Sequence, residues 1–284
     1  MVKNEPTLSV TLATYNEEAN ITRCLESVKD IADEIIVVDG SSTDNTREIA
    51  KELGATVIKT INNPVFHIQK KMANDKAKGD WVLQLDADES LTKELKEEIR
   101  NLLSGKQFGY DSWVSPLKKL IGKKALPLQQ PASAYYLLRR NYFLGRYLKN
   151  AGQYPDPVIR LFQKGKAKLP AKSVHEQMVV DGVTGWLSGE LDHFATPQFS
   201  RYLTRENRYS SLAAEQLRKD GIKVTPINTL NYLFIKPLTT FFLLYFRYRG
   251  FLDGFPGFVF SLYSGFHHAF SYMKLWELYK NEKA

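Results

Sequence analysis

The sequence predicts an α/β fold, a mostly parallel central sheet with helices on both faces. Three observations carry this. Short β-rich runs alternate with helical periodicity over the first hundred residues, the loops between them are short, and the loops after the strands collect acids. LSVTLAT (Leu8 to Thr14) reads as the first strand, followed by a helix with Ile21, Leu25 and Val28 on one face. EIIVVDG (Glu34 to Gly40) is the second strand, and the helix after it carries Ile49 and Leu53 and stops at Gly54. ATVIKT, a basic helical segment around Ile68 to Ala77, and DWVLQLDAD complete the pattern. Parallel sheets bind ligands at the carboxyl ends of their strands, here after Thr14, Asp39 and Leu85.

Between Gly105 and Pro197 the chain gains Pro, Gly and Tyr, which predicts mixed strands and loops extending the same sheet. FSRYLTRENRYSSLAAEQLRK (Phe199 to Lys219) reads as an amphipathic helix ending at Gly221. From Tyr232 to Tyr279 the chain places seventeen of its 35 aromatic residues, interleaved with Lys236, Arg247, Arg249 and Lys274. Lys236 and Pro237 interrupt the most apolar stretch, so no run of about 20 apolar residues spans a bilayer. An aromatic, basic segment that falls short of a span fits an anchor lying on a membrane surface, with a pair of core helices as the alternative.

The bulk numbers narrow the partners. The 284 residues suit one large domain or one domain with an appendage, and the 43% hydrophobic and 25% charged composition excludes wholesale disorder. A net charge of +8 favours an anionic partner: a nucleotide, an acidic membrane face or nucleic acid. Cys24 is the single cysteine, which excludes an internal disulfide and a Cys-based zinc site. The first residues lack the order of a signal peptide, so the catalytic part is expected in the cytosol.

The acids of WVLQLDADES pose the chemical question. On a strand, Asp86 and Asp88 project to one side, which outlines a seat for a hard divalent cation such as Mg²⁺ or Mn²⁺ with positions left open for phosphate. Their simpler role would be to favour the start of a helix near Thr92, and Glu89, on the opposite parity, is expected to do only that. Thr14, Tyr15, Asn16 and Glu17 follow the first strand, and Asp39, Gly40, Ser41, Ser42 and Asp44 follow the second. A carboxylate such as Asp39 suits the N3 proton of uracil while Tyr15 packs on the base, although the same residues also make an ordinary turn and helix cap. Neither a P-loop nor a dinucleotide fingerprint is present.

SVTLATYNEEANITRCLESV, EIIVVDGSSTDNT and GDWVLQLDADE, in this order and spacing, resemble the nucleotide-binding half of family 2 glycosyltransferases, which have the GT-A fold. The resemblance implies inverting transfer from a nucleotide-activated sugar, usually a UDP-sugar, with a divalent metal at D-x-D. By position it places Thr14, Tyr15, Glu17 and Asp39 around the base, with Ser41, Ala87 and Arg160 added to the nucleotide-sugar set. Asp86 would approach the ribose or metal, and Asp88 would ligate the metal. Many relatives read D-D-G-S after the second strand, where this chain has Asp39-Gly40-Ser41-Ser42. VHEQMVVDG, LDHFAT, YLTRENRYSSLAAEQL and the aromatic terminus are similar to bacterial lipopolysaccharide-core glucosyltransferases and relatives acting on lipid-linked glycans. That similarity implies a hexose such as glucose, a glycolipid or lipid-linked oligosaccharide acceptor, and work at the cytoplasmic face of the inner membrane. The expected divisions are a nucleotide-sugar half over 1–105, an acceptor half over 106–221 and a membrane-associating segment over 222–284.

Inversion needs one general base for the acceptor hydroxyl. With the donor half's acids assigned to nucleotide and metal, Glu176 in SVHEQ is the choice and Asp156 the substitute. His175 and His193 are candidates for a third metal ligand or a diphosphate contact, and Arg160, Arg205 and Arg208 for clamping a diphosphate or an anionic acceptor. Two other readings compete. A sugar-phosphate nucleotidyltransferase gives no reason for the aromatic, basic terminus. A non-enzymatic protein binding nucleic acid or acidic membrane leaves the acid-bearing loops unexplained, since carboxylates repel phosphate without a cation, and nucleic acid is therefore not expected as a partner.

Overall fold

Strand β1 (Leu8–Thr14) alternates as its sequence requires: Leu8, Val10 and Leu12 enter the main core, while Ser9 and Thr11 are buried on the other face. The computed structural model describes residues 6–63, 65–105, 132–170, 177–196 and 198–281. Helix α1 (Glu18–Val28) covers the apolar face of β1 with Ile21, Cys24, Leu25 and Val28, the stripe expected from its spacing. Helix α3 (His67–Lys76) lies on the opposite face, where Thr11 donates to Asn74 Oδ1 at 2.6 Å.

Four parallel strands form the centre in the order β3 (Thr56–Lys59), β2 (Glu34–Asp39), β1 and β4 (Trp81–Asp86). Helix α2 (Thr46–Glu52) connects β2 to β3. The sheet continues through β8 (Asp156–Gln163), antiparallel to β4, then β6 (Ala134–Phe143) and β11 (Thr184–Thr196), to β5 (Glu89–Leu91) at the far end. This is the sheet extension predicted for the second hundred residues. β7 (Arg146–Tyr147) pairs with the end of β6, and β9 (Ala167–Lys168) with β10 (Val179–Val180) in a separate ribbon.

Helix α4 (Lys93–Leu103) starts where expected, with the Thr92 hydroxyl accepting from Leu95 N–H. Its buried Glu98 accepts from the Ser188 hydroxyl at 2.6 Å and Gly189 N–H at 2.8 Å, tying the helix to β11.

The described residues fall into two compact units, one containing residues up to Arg139 and Pro155–His193, the other Arg140–Tyr154 and the chain from Phe194 onward. In the second unit, helix α5 (Phe199–Lys219) has the predicted bounds, and Gly221 takes the left-handed φ of 71° that ends it. The chain then runs through α6 (Pro226–Leu230), a π turn (Asn231–Ile235), α7 (Lys236–Phe242) and a second π turn (Leu243–Arg247). Ile227, Leu230, Phe234, Leu238, Phe242 and Phe246 along this run are each more than half exposed. An i, i+4 pattern drifts by about 40° per step on an α-helix of 3.6 residues per turn. The wider π turns take up that drift and hold the stripe in line.

The long helix α8 (Gly254–Asn281) packs on this run through small residues. A Cβ at Gly265 would sit 2.6 Å from the Pro237 carbonyl oxygen, so a larger side chain there must part the two helices. Ahead of α8, buried Asp253 accepts from Asn150 N–H at 2.7 Å and Asn150 Nδ2 at 3.2 Å, with Arg146 at 3.6 Å. No helix among the described residues is long and apolar enough to cross a membrane.

Candidate active site

The loops after β1 and β2 are bonded to each other. Asn16, at a left-handed φ of 54°, donates its N–H to Ser42 Oγ at 2.9 Å and accepts from Thr43 N–H at 2.8 Å. Glu17 N–H donates to Thr46 Oγ1 at 2.8 Å, and Glu18 accepts from Asn45 N–H at 2.9 Å. Asp39 is fully buried beneath them, accepting from the Thr14 hydroxyl at 2.9 Å and Ser42 N–H at 2.8 Å, with Arg47 Nε at 3.7 Å. Asp39 thus organises the turn, as its simpler role required. Ser41, also left-handed, donates its hydroxyl to the Thr60 carbonyl at 2.7 Å. Tyr15 is exposed at the rim.

The acids after β4 are arranged differently from the strand-based expectation. β4 stops at Asp86, Ala87 and Asp88 form a turn, and Glu89 opens β5, so Asp86 and Asp88 do not share a strand face. Asp86 pairs with Lys70 Nζ and, at 2.6 Å, with Arg160 Nη2. Burial would raise its pKa, but Arg160, then Lys70 and Arg139, hold the carboxyl far below the usual range.

Glu89, expected only to favour a helix start, is a buried ion-pair centre. It takes Arg160 Nη2 at 2.7 Å, Arg139 Nη1 at 3.3 Å and Asp86 N–H at 3.0 Å. Arg139 also binds Asp156, the reserve base, at 2.8 Å. Arg160 additionally donates Nη1 to Gln84 Oε1 at 3.1 Å. Its two terminal nitrogens are thus engaged within the chain, and although burial would lower its pKa, the Asp86 and Glu89 carboxylates hold it above the usual guanidinium value. Three acids (Asp86, Glu89, Asp156) thus face three cations (Lys70, Arg139, Arg160), so the missing positive charge of the cluster is largely supplied within the chain.

Asp88 is the acid outside this network. Its Oδ2 lies 3.5 Å from His193 Nε2. Burial opposes ionisation of Asp88, yet the His193 hydrogen bond keeps its pKa below the usual value. No group of three His, Cys, Asp or Glu side chains suited to a metal occurs among the described residues. Two donors 3.5 Å apart can nevertheless share one cation, since adjacent ligands in an octahedron of ~2.1 Å bonds lie about 3 Å apart. Glu176 and His175, the expected base and further ligand, lie outside the described residues; Arg205 and Arg208 are exposed on α5 in the second unit. Sequence reasoning missed Lys70 and Arg139, whose partners are 16 and 50 residues away and left no local pattern.

The glycosyl transferase family 2 model matches residues 9–149, which span β1 through the end of the β6–β7 hairpin. An uncharacterised glycosyltransferase of Rickettsia typhi is 31% identical over 281 residues, covering 95% of this chain and 87% of the relative. A lipopolysaccharide core biosynthesis glycosyltransferase, LpsC of Rhizobium meliloti, is 28% identical over 89% of this chain and 85% of its own length. Among solved structures, glucosyl-3-phosphoglycerate synthase of Mycobacterium tuberculosis with Mn²⁺ and UDP-glucose overlaps 36% of this chain and 40% of that one, at 28% identity and a TM-score of 0.31. An overlap that partial says nothing of ligands here. Near-full-length kinship to glycosyltransferases sets aside the nucleotidyltransferase and non-enzymatic readings. The protein is an enzyme, and the chain belongs to glycosyl transferase family 2.

Proposed function

We propose that the protein transfers a hexosyl unit, such as glucose, from a UDP-sugar with inversion to a lipopolysaccharide-core or other lipid-linked envelope glycan. The observation that carries this is the Asp88–His193 pair, set apart from the compensated acids at the carboxyl end of β4. The uracil and ribose are assigned to Tyr15, Glu17 and Ser41 at the surface of these loops, held in place by the buried Thr14 and Asp39 beneath them, with Asp86 and Ala87 beside the ribose and diphosphate. Asp88 and His193 are the residues to hold Mg²⁺ or Mn²⁺, with His175 as a further candidate; a bound cation would neutralise charge on the departing UDP. Glu176 is assigned as the base that takes the acceptor hydroxyl proton as its oxygen attacks the anomeric carbon opposite UDP. Arg160 contributes indirectly, by fixing the Asp86 carboxylate.

The acceptor class rests on the likeness to LpsC, whose name places it in lipopolysaccharide core synthesis. The apolar stripe from Ile227 to Phe246 supports work on a membrane surface, and Lys236 and Arg247 in the same run suit anionic headgroups. The corresponding location is the cytoplasmic face of a bacterial inner membrane.

Thermal melting with UDP and Mn²⁺ tests the donor assignment. The melting temperature should rise with both together, as ligand binding to the folded state requires, and more than with GDP and Mn²⁺. No rise with UDP at any Mn²⁺ concentration would exclude a UDP-sugar donor. For the stripe, replacing Phe234, Leu238 and Phe242 together by Glu should abolish co-sedimentation with phosphatidylglycerol-containing vesicles while the helical circular dichroism is kept. Unchanged sedimentation would remove the membrane assignment.

A further inference from the structure

A cavity of about 580 Å³ opens beside Asp86 in the first unit, on the α3 face of the sheet. Its volume is within the usual range for small-molecule sites, roughly 300–1,000 Å³. Lys70, Gln84, Arg160, Tyr136, Trp186 and Thr184 are among the residues lining it, whereas Tyr15, Asp39, Asp88 and His193 are not.

Two features of its wall call for a ligand. Gln84 is 1% exposed, and while its Oε1 accepts from Arg160, its Nε2 has no hydrogen-bond partner among the described residues. Arg160 Nε is likewise buried and unpaired. Buried donors without acceptors lose their hydration without return, and such groups are few in folded proteins. Nearby, Tyr136 and Trp186 are stacked, with ring centroids 4.5 Å apart and planes inclined by 22°, which stiffens an aromatic platform.

The charge of the wall indicates what fits. Lys70 and Arg160 bring two positive charges, but Asp86 and Glu89 take both. An anion would therefore gain little here. A ring with C–H groups for the aromatic face and hydroxyl oxygens for the two unpaired N–H groups would satisfy every feature.

We infer that this cavity holds a neutral pyranose ring of the acceptor, stacked on Trp186, and that Gln84 is a specificity-determining residue donating Nε2–H to one of its hydroxyl oxygens. The inference rests on the glycosyltransfer reading for the word acceptor; binding of the ring can be measured without it.

The test is saturation-transfer NMR on the full chain with methyl glycosides of glucose, galactose and mannose at millimolar concentration, with and without UDP-glucose and Mn²⁺. At least one pyranoside should receive saturation on its ring protons, and UDP-glucose should leave that signal in place. Gln84→Glu keeps the shape and the acceptor for Arg160 but removes the N–H, and should weaken binding at least tenfold. Trp186→Ala should abolish it. No signal from any glycoside, binding unchanged in Gln84→Glu, or displacement by UDP-glucose would each overturn the inference, the last by making the cavity a donor-sugar site. Failure of UDP to stabilise the protein, with pyranoside binding intact, would instead count against the proposed donor alone.

Discussion

Asp88→Ala is expected to fold normally and to lose sugar transfer by on the order of 10³-fold, because it removes the acid of the cluster that, among the described residues, pairs with His193 and with no Lys or Arg. The magnitude corresponds to about 4 kcal/mol of leaving-group stabilisation, within the range a cation supplies at a departing phosphate. The measurement is UDP release from UDP-glucose across a Mn²⁺ titration, in the wild type and the variant. The wild type should respond to Mn²⁺ and the variant should stay flat. Wild-type rates from the variant at equal Mn²⁺, or full wild-type activity in excess EDTA, would remove the metal from Asp88. Asp86→Ala serves as the contrast: it leaves Lys70 and Arg160 without their shared carboxylate, so a loss of stability is expected together with any loss of rate.

Arg160→Leu is expected to act on the fold first. Glu89 is fully buried and would keep only Arg139 and a backbone N–H, while Asp86 would keep Lys70. Removing one partner of a buried ion pair costs about 3–5 kcal/mol, because the other charge stays behind in a poor solvent for it. Urea unfolding should show a lower midpoint at an unchanged slope. A midpoint equal to the wild type's would mean that the Arg160 ion pairs do not contribute to the stability of the fold.

The same variant has a signature in acid. Burial would raise the Asp86 pKa, but Arg160, followed by Lys70 and Arg139, depresses it in the folded state. A depressed carboxylate stabilises the fold above the unfolded-state pKa, and that contribution is lost as pH falls through the folded-state value. Wild-type stability should therefore decline as pH drops below about 4, where the unfolded chain binds protons that the native state refuses. Without Arg160, native Asp86 accepts its proton closer to the unfolded value, and the decline should be shallower.

The parallel half of the sheet, the stripe of α1 and the limits of α5 were legible in the sequence because they depend on local periodicity and on turn residues close in the chain. The acid cluster was legible only as a cluster. Its sorting into compensated and available members depends on Lys70, Arg139 and Arg160, which reach it from three separate elements, one of them β8, some seventy residues downstream. Strand parity failed at Asp88 for a specific reason: alternation applies only while the strand lasts, and β4 ends two residues earlier. Glu89 was misjudged for the same cause, since beginning β5 turned it inward. The cavity over Gln84 left no trace in the sequence, because a missing hydrogen-bond partner is a property of the assembled neighbourhood and has no residue pattern.

The mutual bonding of the loops after β1 and β2 has a practical meaning for anyone wishing to re-engineer donor choice. Asn16, Glu17 and Glu18 on one loop and Ser42, Thr43, Asn45 and Thr46 on the other exchange donors and acceptors as a matched set. Grafting a single loop from a homologue would strand half of those groups, so the portable module is the pair, transplanted together with the buried Asp39 that supports it.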